Sequence, residues 1–187
     1  MKARRATAAL LLGLVSAGPA AAQRWVVDPA RSSIAFESAQ AGTPVRGRFG
    51  KWTADIRFDP ARLAEARVVV IVDLASATTG DRNVDGQLPT GDWFNIAAGA
   101  QARFVSSAIT AAGPGRYVAR GTLAMKGVSV PVELPFSLSI TGNSAVMQGQ
   151  TQLDRRALRI GMASDASAAW VPFAVPVSIQ VTARRAP

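Results

Sequence analysis

Histidine and cysteine are both absent from this 187-residue sequence. Without histidine, the chain cannot assemble a serine–histidine or cysteine–histidine nucleophilic pair. The same two absences exclude zinc, iron and copper sites that use imidazole or thiolate ligands. Disulfide bonds are excluded as well, so apolar packing alone has to hold the fold together.

The most apolar stretch lies at the N-terminus, and no apolar span of membrane length follows it. Basic residues precede an apolar stretch over residues 8–17, and alanines at 20–22 follow it. This order of basic head, apolar core and small-residue cleavage site is typical of a secretory signal peptide. The sequence therefore predicts a cleaved signal peptide over residues 1–22, one domain over residues 23–187 and a periplasmic location.

Basic residues outnumber acidic ones in the predicted mature chain. It carries 18 basic and 12 acidic residues, which is a net charge of about +6. The arginines are spread singly or in short pairs such as Arg155–Arg156, without aromatic residues between them, which argues against a nucleic-acid partner. We expect either a solvated basic surface or mild, transient attraction to anionic lipid head groups.

Strict alternation of apolar and polar residues dominates the rest of the chain. Between residues 130 and 141 the even positions are all Val, Leu, Phe or Ile, and the odd positions are Pro, Glu, Ser or Thr. A period of two places every apolar side chain on one face of a strand, which a helix cannot do.

Similar strand patterns recur, separated by short turns such as Lys126-Gly127 and Gly142-Asn143. They predict an all-β fold, an antiparallel up-and-down β-barrel of about eight strands, because closure removes exposed edges. A two-sheet sandwich is the alternative, since prolines at 131, 135, 172 and 176 indicate irregular or edge positions. Residues 79–98 lack the alternation and predict a long loop with short helical turns.

The remaining candidates for catalysis are carboxylates. Asp81, Asp85 and Asp92 lie close together in the long loop, but their spacing matches no calcium loop. Tyr117, the only tyrosine, falls inside a strand pattern. We therefore predict no catalytic residues, no metal site, no cofactor and no enzymatic activity.

Several local motifs, in their order and spacing, resemble the YceI-like family of exported lipid-binding proteins. The matching pieces are Trp25-Val26-Val27-Asp28, Ser33-Ile34-Ala35-Phe36, Val45-Arg46-Gly47-Arg48-Phe49, Ile56-Arg57-Phe58-Asp59-Pro60, Thr79-Gly80, Leu88, Asp92-Trp93-Phe94-Asn95, Ala102-Arg103-Phe104-Val105-Ser106-Ser107, Gly121-Thr122-Leu123 and Lys126-Gly127-Val128. The chain departs from the commoner pattern at Arg31, Val84 and Gln87, where relatives often carry histidine or arginine.

This resemblance implies a lipocalin-like barrel, often paired as a homodimer, whose cavity holds a polyisoprenoid or a related amphiphile. The alternation independently predicts the same class of protein, because it places apolar side chains in the barrel interior. The predicted ligand contacts are Phe36, Phe49, Ile56, Phe58, Phe104, Leu134, Phe136 and Leu138, with Trp93 and Phe94 as a lid. Arg46 and Arg48 are candidates for an anionic head group, because guanidinium pairs well with phosphate.

The function that these observations predict is a periplasmic carrier that sequesters a long-chain isoprenoid lipid, such as a polyisoprenoid, a quinone or a quinone precursor. Two alternatives belong to other classes. One is an enzyme that acts on a lipid-like substrate through the loop carboxylates. The other is a structural envelope protein with a filled barrel.

Overall fold

The computed structural model describes residues 22–187. Apart from Ala22, the predicted signal peptide lies outside the described residues, so its cleavage stays a prediction. The described chain is built almost wholly of strands. These are β1 (Arg24–Val27), β2 (Ser33–Gln40), β3 (Thr43–Phe49), β4 (Trp52–Arg57), β5 (Arg67–Asp73), β6 (Ala77–Thr78), β7 (Gln101–Gly113), β8 (Arg116–Met125), β9 (Val128–Thr141), β10 (Ser144–Asp154) and β11 (Ala174–Arg185).

Eight of these strands close into an antiparallel barrel. The order around the ring is β1, β4, β5, β7, β8, β9, β10 and β11, and β11 pairs with β1 to complete it. Closure pairs the backbone groups that an open sheet would leave at its two edges. The predicted barrel is therefore confirmed, and the two-sheet sandwich is wrong.

The two ends of the barrel differ in the segments that they carry. The lower end carries tight turns at residues 114–115 and 142–143 and the β4–β5 connection (residues 58–66), which contains the 3-10 turn Leu63–Glu65. The upper end carries tight turns at 41–42 and 126–127 and two longer segments, which we call the β6–β7 connection (residues 79–100) and the β10–β11 loop (residues 155–173).

Three of the barrel strands are interrupted near mid-height. The 3-10 turn Pro29–Arg31 separates β1 from β2, Gly50 and Lys51 separate β3 from β4, and the 3-10 turn Leu74–Ser76 separates β5 from β6. The upper segments β2, β3 and β6 pair in that order, and β2 also pairs with β11, so they extend the wall above the ring. The chain bends at Gly50, and Gly47 stays within β3.

The β6–β7 connection confirms the predicted long loop with short helical turns at residues 79–98. Its single helix, α1 (Arg82–Gln87), begins after Asp81, whose carboxylate accepts hydrogen bonds from the backbone N–H groups of Asn83 and Val84. Such a cap satisfies donors that the first turn of a helix leaves free.

Pairing between β9 and β10 covers only their lower halves, and the ladder ends above Phe136. Higher up, the Thr151 hydroxyl donates to the Glu133 carbonyl at 2.7 Å, which shows that this backbone position faces β10. Pro131 and Pro135 are odd-numbered like Glu133, so their backbones also face β10. Both lack the N–H that would continue the ladder. The prolines thus explain where the two strands part.

Strand β5 has a different environment from the one that its sequence indicates. Its continuous apolar run predicts cover on both faces, but only the even-numbered valines face the barrel interior. Val69 and Ile71 lie half-buried on the outer face. β-branched residues fit a pleated, half-buried surface, so the run does not require a second covering layer.

Buried apolar residues form two clusters, one in the lower and one in the upper part of the barrel. Trp25, Phe58 and Ile109 belong to the lower cluster. Phe36, Phe94 and further buried side chains of the upper connections belong to the upper one. Both clusters contribute to the wall of the interior space described next.

Candidate functional site

The barrel interior is hollow. Every inward-facing side chain of β9 is only half-buried, although its outward-facing neighbours are exposed. A close-packed core would bury the inward series. The space between these side chains is an apolar cavity of about 310 Å³. That volume lies at the lower end of the range typical of small-molecule sites.

All ten residues that the sequence predicts as ligand contacts lie on the wall of this cavity. Seven lie on strands, one directly follows β4, and two belong to the β6–β7 connection. The alternation brings the strand residues together because it sets which face of each strand points inward. The ten are Phe36, Phe49, Ile56, Phe58, Trp93, Phe94, Phe104, Leu134, Phe136 and Leu138.

Aromatic rings connect the upper wall to the β6–β7 connection. The ring of Phe36 lies 5.5 Å from that of Phe49, which lies 6.1 Å from that of Phe94. Trp93 packs against Gly161 in the β10–β11 loop, where an added Cβ would lie 3.3 Å from the indole. The two predicted lid residues thus join both upper segments to the cavity wall.

Two glycines give aromatic rings room against the wall. A Cβ at Gly47 would lie 2.1 Å from the ring of Phe36. A Cβ at Gly121 would lie 2.3 Å from the carbonyl oxygen of Val105 and 2.6 Å from the ring of Phe104. Sequence reasoning missed both contacts, although a glycine inside a strand is a signal for close approach.

Packed aromatic side chains occupy the lower end of the barrel. The Trp25 indole N–H donates to the carbonyl of Phe58 at 2.9 Å. The ring of Phe58 meets Tyr117 edge-on at 5.2 Å, and Tyr117 stacks on Phe136 at 5.4 Å. Tyr117 therefore has a packing role, as its place in a strand pattern predicts.

A buried arginine closes the upper end and anchors the β10–β11 loop. Arg155 is 1% exposed, lines the cavity and pairs with buried Asp165 at 2.9 Å. Its guanidinium also donates to the carbonyl oxygens of Ile160, Gly161 and Val171. These hydrogen bonds link Arg155 to other residues of the same loop.

Sequence reasoning missed Arg155, although the pattern contained a signal. The inward-facing positions of β10 are odd-numbered, and the next odd residue after Leu153 is Arg155. Burial alone would raise the pKa of its partner Asp165. Backbone N–H groups of Val171 and Trp170 and the charge of Arg155 more than offset that effect, so this pKa lies below its ordinary value.

Asp92 and Lys126 join the two upper segments. The Asp92 carboxylate accepts backbone hydrogen bonds from Ala163 and Ser164, both at 2.9 Å. The Lys126 ammonium donates to the carbonyl oxygens of Asp92 and Arg159. Burial would raise the pKa of Asp92, but the hydrogen bonds from Ser164 and Ala163 and the charge of Lys126 lower it overall. Burial lowers the pKa of Lys126.

The other two loop carboxylates also hold the chain in place. Asp81 caps α1. Asp85 accepts hydrogen bonds from the hydroxyls of Thr78 and Thr79, both at 2.7 Å, and these lower its pKa. None of the three loop aspartates lines the cavity. The geometry therefore brings no pair of carboxylates to a substrate held there.

Arg46 and Arg48 lie on the outer face of β3, so the structure does not bring them to the cavity. Both are exposed, and Arg46 pairs with Glu37 of β2 at 3.3 Å. The inward positions of this strand are the odd-numbered ones, including Phe49. Contact of these two arginines with an anionic head group stays a prediction.

A polar group that the sequence did not indicate lies on the upper wall. The Ser38 side chain lines the cavity, and its buried hydroxyl has no hydrogen-bond partner among residues 22–187. A buried hydroxyl without a partner in the protein is uncommon, and this one is free to bond a polar group held in the cavity.

Within the described chain, no three Asp or Glu side chains come together as metal ligands. Between residues 22 and 187, no helix has the length and apolarity needed to cross a membrane.

Comparison with known proteins identifies the family. The profile of the YceI-like domain matches residues 25–183. The chain belongs to the YceI-like family. Among its relatives, a UPF0312 protein of Shewanella baltica is 30% identical over 137 residues, which cover 72% of each chain. A UPF0312 protein of Vibrio campbellii is 28% identical over 139 residues, 70% of this chain and 74% of the relative.

Solved structures share the YceI-like barrel. BcnA of Burkholderia cenocepacia superposes with a TM-score of 0.80 at 31% identity, covering 84% of this chain and 99% of BcnA. A polyisoprenoid-binding domain of Saccharophagus degradans, implicated in plant cell wall breakdown, superposes with a TM-score of 0.67, covering 88% of this chain and 99% of that domain. At 15% identity the second likeness shows the fold alone.

Proposed function

We propose that this protein is a periplasmic carrier that sequesters a long-chain isoprenoid lipid, such as a polyisoprenoid, a quinone or a quinone precursor. The observation that carries the proposal is the hollow apolar interior, whose lining side chains are half-buried and leave a cavity between them. Membership of the YceI-like family supports a lipid ligand, as does the likeness to the polyisoprenoid-binding domain of Saccharophagus degradans.

Transfer of the isoprenoid chain out of water would supply most of the affinity. Each buried methylene contributes roughly 0.8 kcal/mol, so a chain of several isoprene units needs few polar contacts. The ten wall residues predicted from the sequence would contact this chain. Ser38 would orient the polar head at the upper end, because its free hydroxyl can donate to a quinone carbonyl.

The alternatives have less support. The loop carboxylates accept structural hydrogen bonds and stay outside the cavity, which leaves a lipid hydrolase without its acid and base. A structural protein would need a filled barrel, and the cavity contradicts that. The homodimer that the family resemblance implies stays a prediction.

A cavity-filling substitution tests the carrier function. Ala54 lines the cavity on β4, and Ala54→Phe would fill part of the volume that the lipid needs. We expect the wild-type protein purified from periplasm to release an isoprenoid on solvent extraction. The delipidated protein should rebind ubiquinone, measured as quenching of Trp52 and Trp93, which both line the cavity.

The matched control is Thr53→Phe, which adds the same ring to the exposed outer face of the same strand. Ubiquinone binding should fall at least roughly tenfold in Ala54→Phe and stay unchanged in Thr53→Phe. Extracts without isoprenoid, together with equal ubiquinone binding by both variants, would refute the carrier function.

A further inference from the structure

Trp170 in the β10–β11 loop is an exposed aromatic side chain that no contact of the fold explains. Its side chain is 60% exposed, whereas Trp25 is buried and Trp52 and Trp93 line the cavity. An indole combines a large apolar surface with one polar N–H, and tryptophan is enriched where proteins meet the membrane interface for that reason. At the upper end of the described chain it is the single exposed large apolar side chain.

The chain around Trp170 connects the cavity to the surface. Residues 166–174 contain no charged side chain, and Ala169 and Pro172 are exposed together with Trp170. The next residue, Val171, lines the cavity. One short segment therefore contacts both the interior of the barrel and the solvent.

The fold holds this segment in one position. Arg155 donates to the carbonyl of Val171 at 2.8 Å, and Asp165 accepts from the backbone N–H of Val171 at 2.8 Å. The Ala41 N–H donates to the carbonyl of Trp170 at 2.8 Å, which ties the loop to the β2–β3 turn. A surface that is ordered before binding loses little conformational entropy when it binds.

Exposed arginines belong to the same loop as the apolar segment. The Arg156 guanidinium lies 4.4 Å from the ring centre of Phe173 and also pairs with Asp154 at 2.6 Å, and Arg159 is exposed three residues further on. An exposed aromatic side chain and arginines in one loop match an interface that has an apolar interior and anionic head groups. The net positive charge of the whole chain adds a long-range attraction of the same sign.

We infer that the β10–β11 loop docks this protein on an anionic phospholipid bilayer, with Trp170 in the membrane interface and Arg156 and Arg159 at the head groups. This orientation places the end of the cavity that holds Ser38 next to the bilayer. The purpose of docking rests on the proposed carrier function, but docking itself needs no cargo.

Co-sedimentation with vesicles tests the docking surface. Vesicles of phosphatidylglycerol and phosphatidylethanolamine, without isoprenoid, should bind the full-length mature protein, and added salt should weaken the binding. Trp170→Ala should lower the partition coefficient roughly tenfold or more, since a large apolar side chain no longer enters the interface. Val146→Ala is the control, because it removes an exposed apolar side chain from the barrel wall.

Bilayer depth gives a second readout that does not depend on the stability of the alanine variant. Brominated phospholipids should quench the fluorescence of the wild-type protein, and Trp170→Phe should keep vesicle binding but lose most of that quenching. Equal vesicle binding by wild type and Trp170→Ala, or loss of binding in Arg57→Gln at the lower end instead, would overturn the inference. Because the vesicles contain no isoprenoid, a failure here leaves the ubiquinone measurements untouched.

Discussion

Arg155 shows how a single buried side chain can organise a loop that would otherwise have little to hold it. The β10–β11 loop has no regular secondary structure, and its carbonyl oxygens need donors once they leave water. A guanidinium supplies five N–H groups in a fixed plane, which suits several carbonyls at once. Asp165 then balances the charge that burial would otherwise leave unpaired.

Arg155→Met should therefore be strongly destabilising. It keeps a similar apolar volume but leaves Asp165 buried without its cation and several carbonyls without donors, a loss of about 3 to 5 kcal/mol in the free energy of unfolding. Urea unfolding followed by circular dichroism measures the change. Arg156→Met is the matched control, because that neighbour is an exposed partner of Asp154, and it should leave the urea midpoint nearly unchanged. Equal effects of the two substitutions would contradict the anchoring role of Arg155.

Ser38 allows a sharper test of how the cavity treats a polar head. Ser38→Ala removes the unpartnered hydroxyl and adds no bulk. We expect weaker binding of ubiquinone, by a factor that corresponds to about 0.5 to 1.5 kcal/mol for a lost neutral hydrogen bond. Binding of squalene, an isoprenoid hydrocarbon without a head group, should not change. An equal loss of binding affinity for both ligands would show that Ser38 acts through packing and not through a hydrogen bond to the head.

At the scale of elements, the lower wall carries a row of like charges. Arg24 of β1 lies opposite Arg57 of β4, which in turn lies opposite Arg67 of β5. Within the described chain, Arg24 contacts Asp55 at 3.6 Å, and neither Arg57 nor Arg67 forms an ion pair. Like charges directly opposite each other on neighbouring strands repel, so this row lowers the stability of the sheet.

Arg57→Gln should raise the free energy of unfolding by roughly 0.2 to 1 kcal/mol, because it relieves repulsion from both neighbours. The gain should shrink as salt screens the charges. Arg120→Gln provides the opposite case, since Arg120 pairs with Glu133 of the next strand at 2.6 Å and its loss should be neutral or mildly destabilising. Thermal unfolding at low and high ionic strength measures both. Destabilisation by Arg57→Gln at low salt would contradict a net repulsion in this row of arginines.

The elements also show which local patterns are reliable. Strand β9 follows its alternation along its full length because one face meets the cavity and the other meets water. The pattern of β5 misleads, because valine and isoleucine suit a half-buried outer face as well as a covered one. The parting of β9 from β10 follows from the missing N–H groups of proline. Which neighbouring strand loses its hydrogen bonds depends on whether the odd-numbered or the even-numbered residues of β9 face it.

At the scale of the whole molecule, the absence of histidine and cysteine determines the response to pH. No side chain type in this sequence has an ordinary pKa between pH 5 and pH 7. The pKa values of Asp59, Asp85, Asp92, Asp154 and Asp165 all lie below the ordinary value of 3.8. A carboxylate with a depressed pKa in the folded state stabilises the fold above its unfolded pKa.

We therefore expect the melting temperature to stay level from pH 7 to pH 5 and to fall as the pH drops below about 4. The folded protein binds fewer protons than the unfolded chain in that range, so acid favours unfolding. Asp85→Asn should weaken this acid response, since its hydrogen bonds from Thr78 and Thr79 are among the causes. Calorimetric scans across the pH series measure the effect. A clear change between pH 5 and pH 7 would contradict the assignment to aspartates.

The sequence by itself determined the strand-rich barrel, the apolar face of each strand and the lack of a histidine or cysteine catalytic centre. Those properties depend on local periodicity and composition, which need no knowledge of distant partners. Only the tertiary structure decided that Arg46 and Arg48 point away from the cavity, that Arg155 is buried, and that Ser38 lacks a partner. Burial, hydrogen bonding and cavity volume depend on what ring closure brings together from strands far apart in the chain.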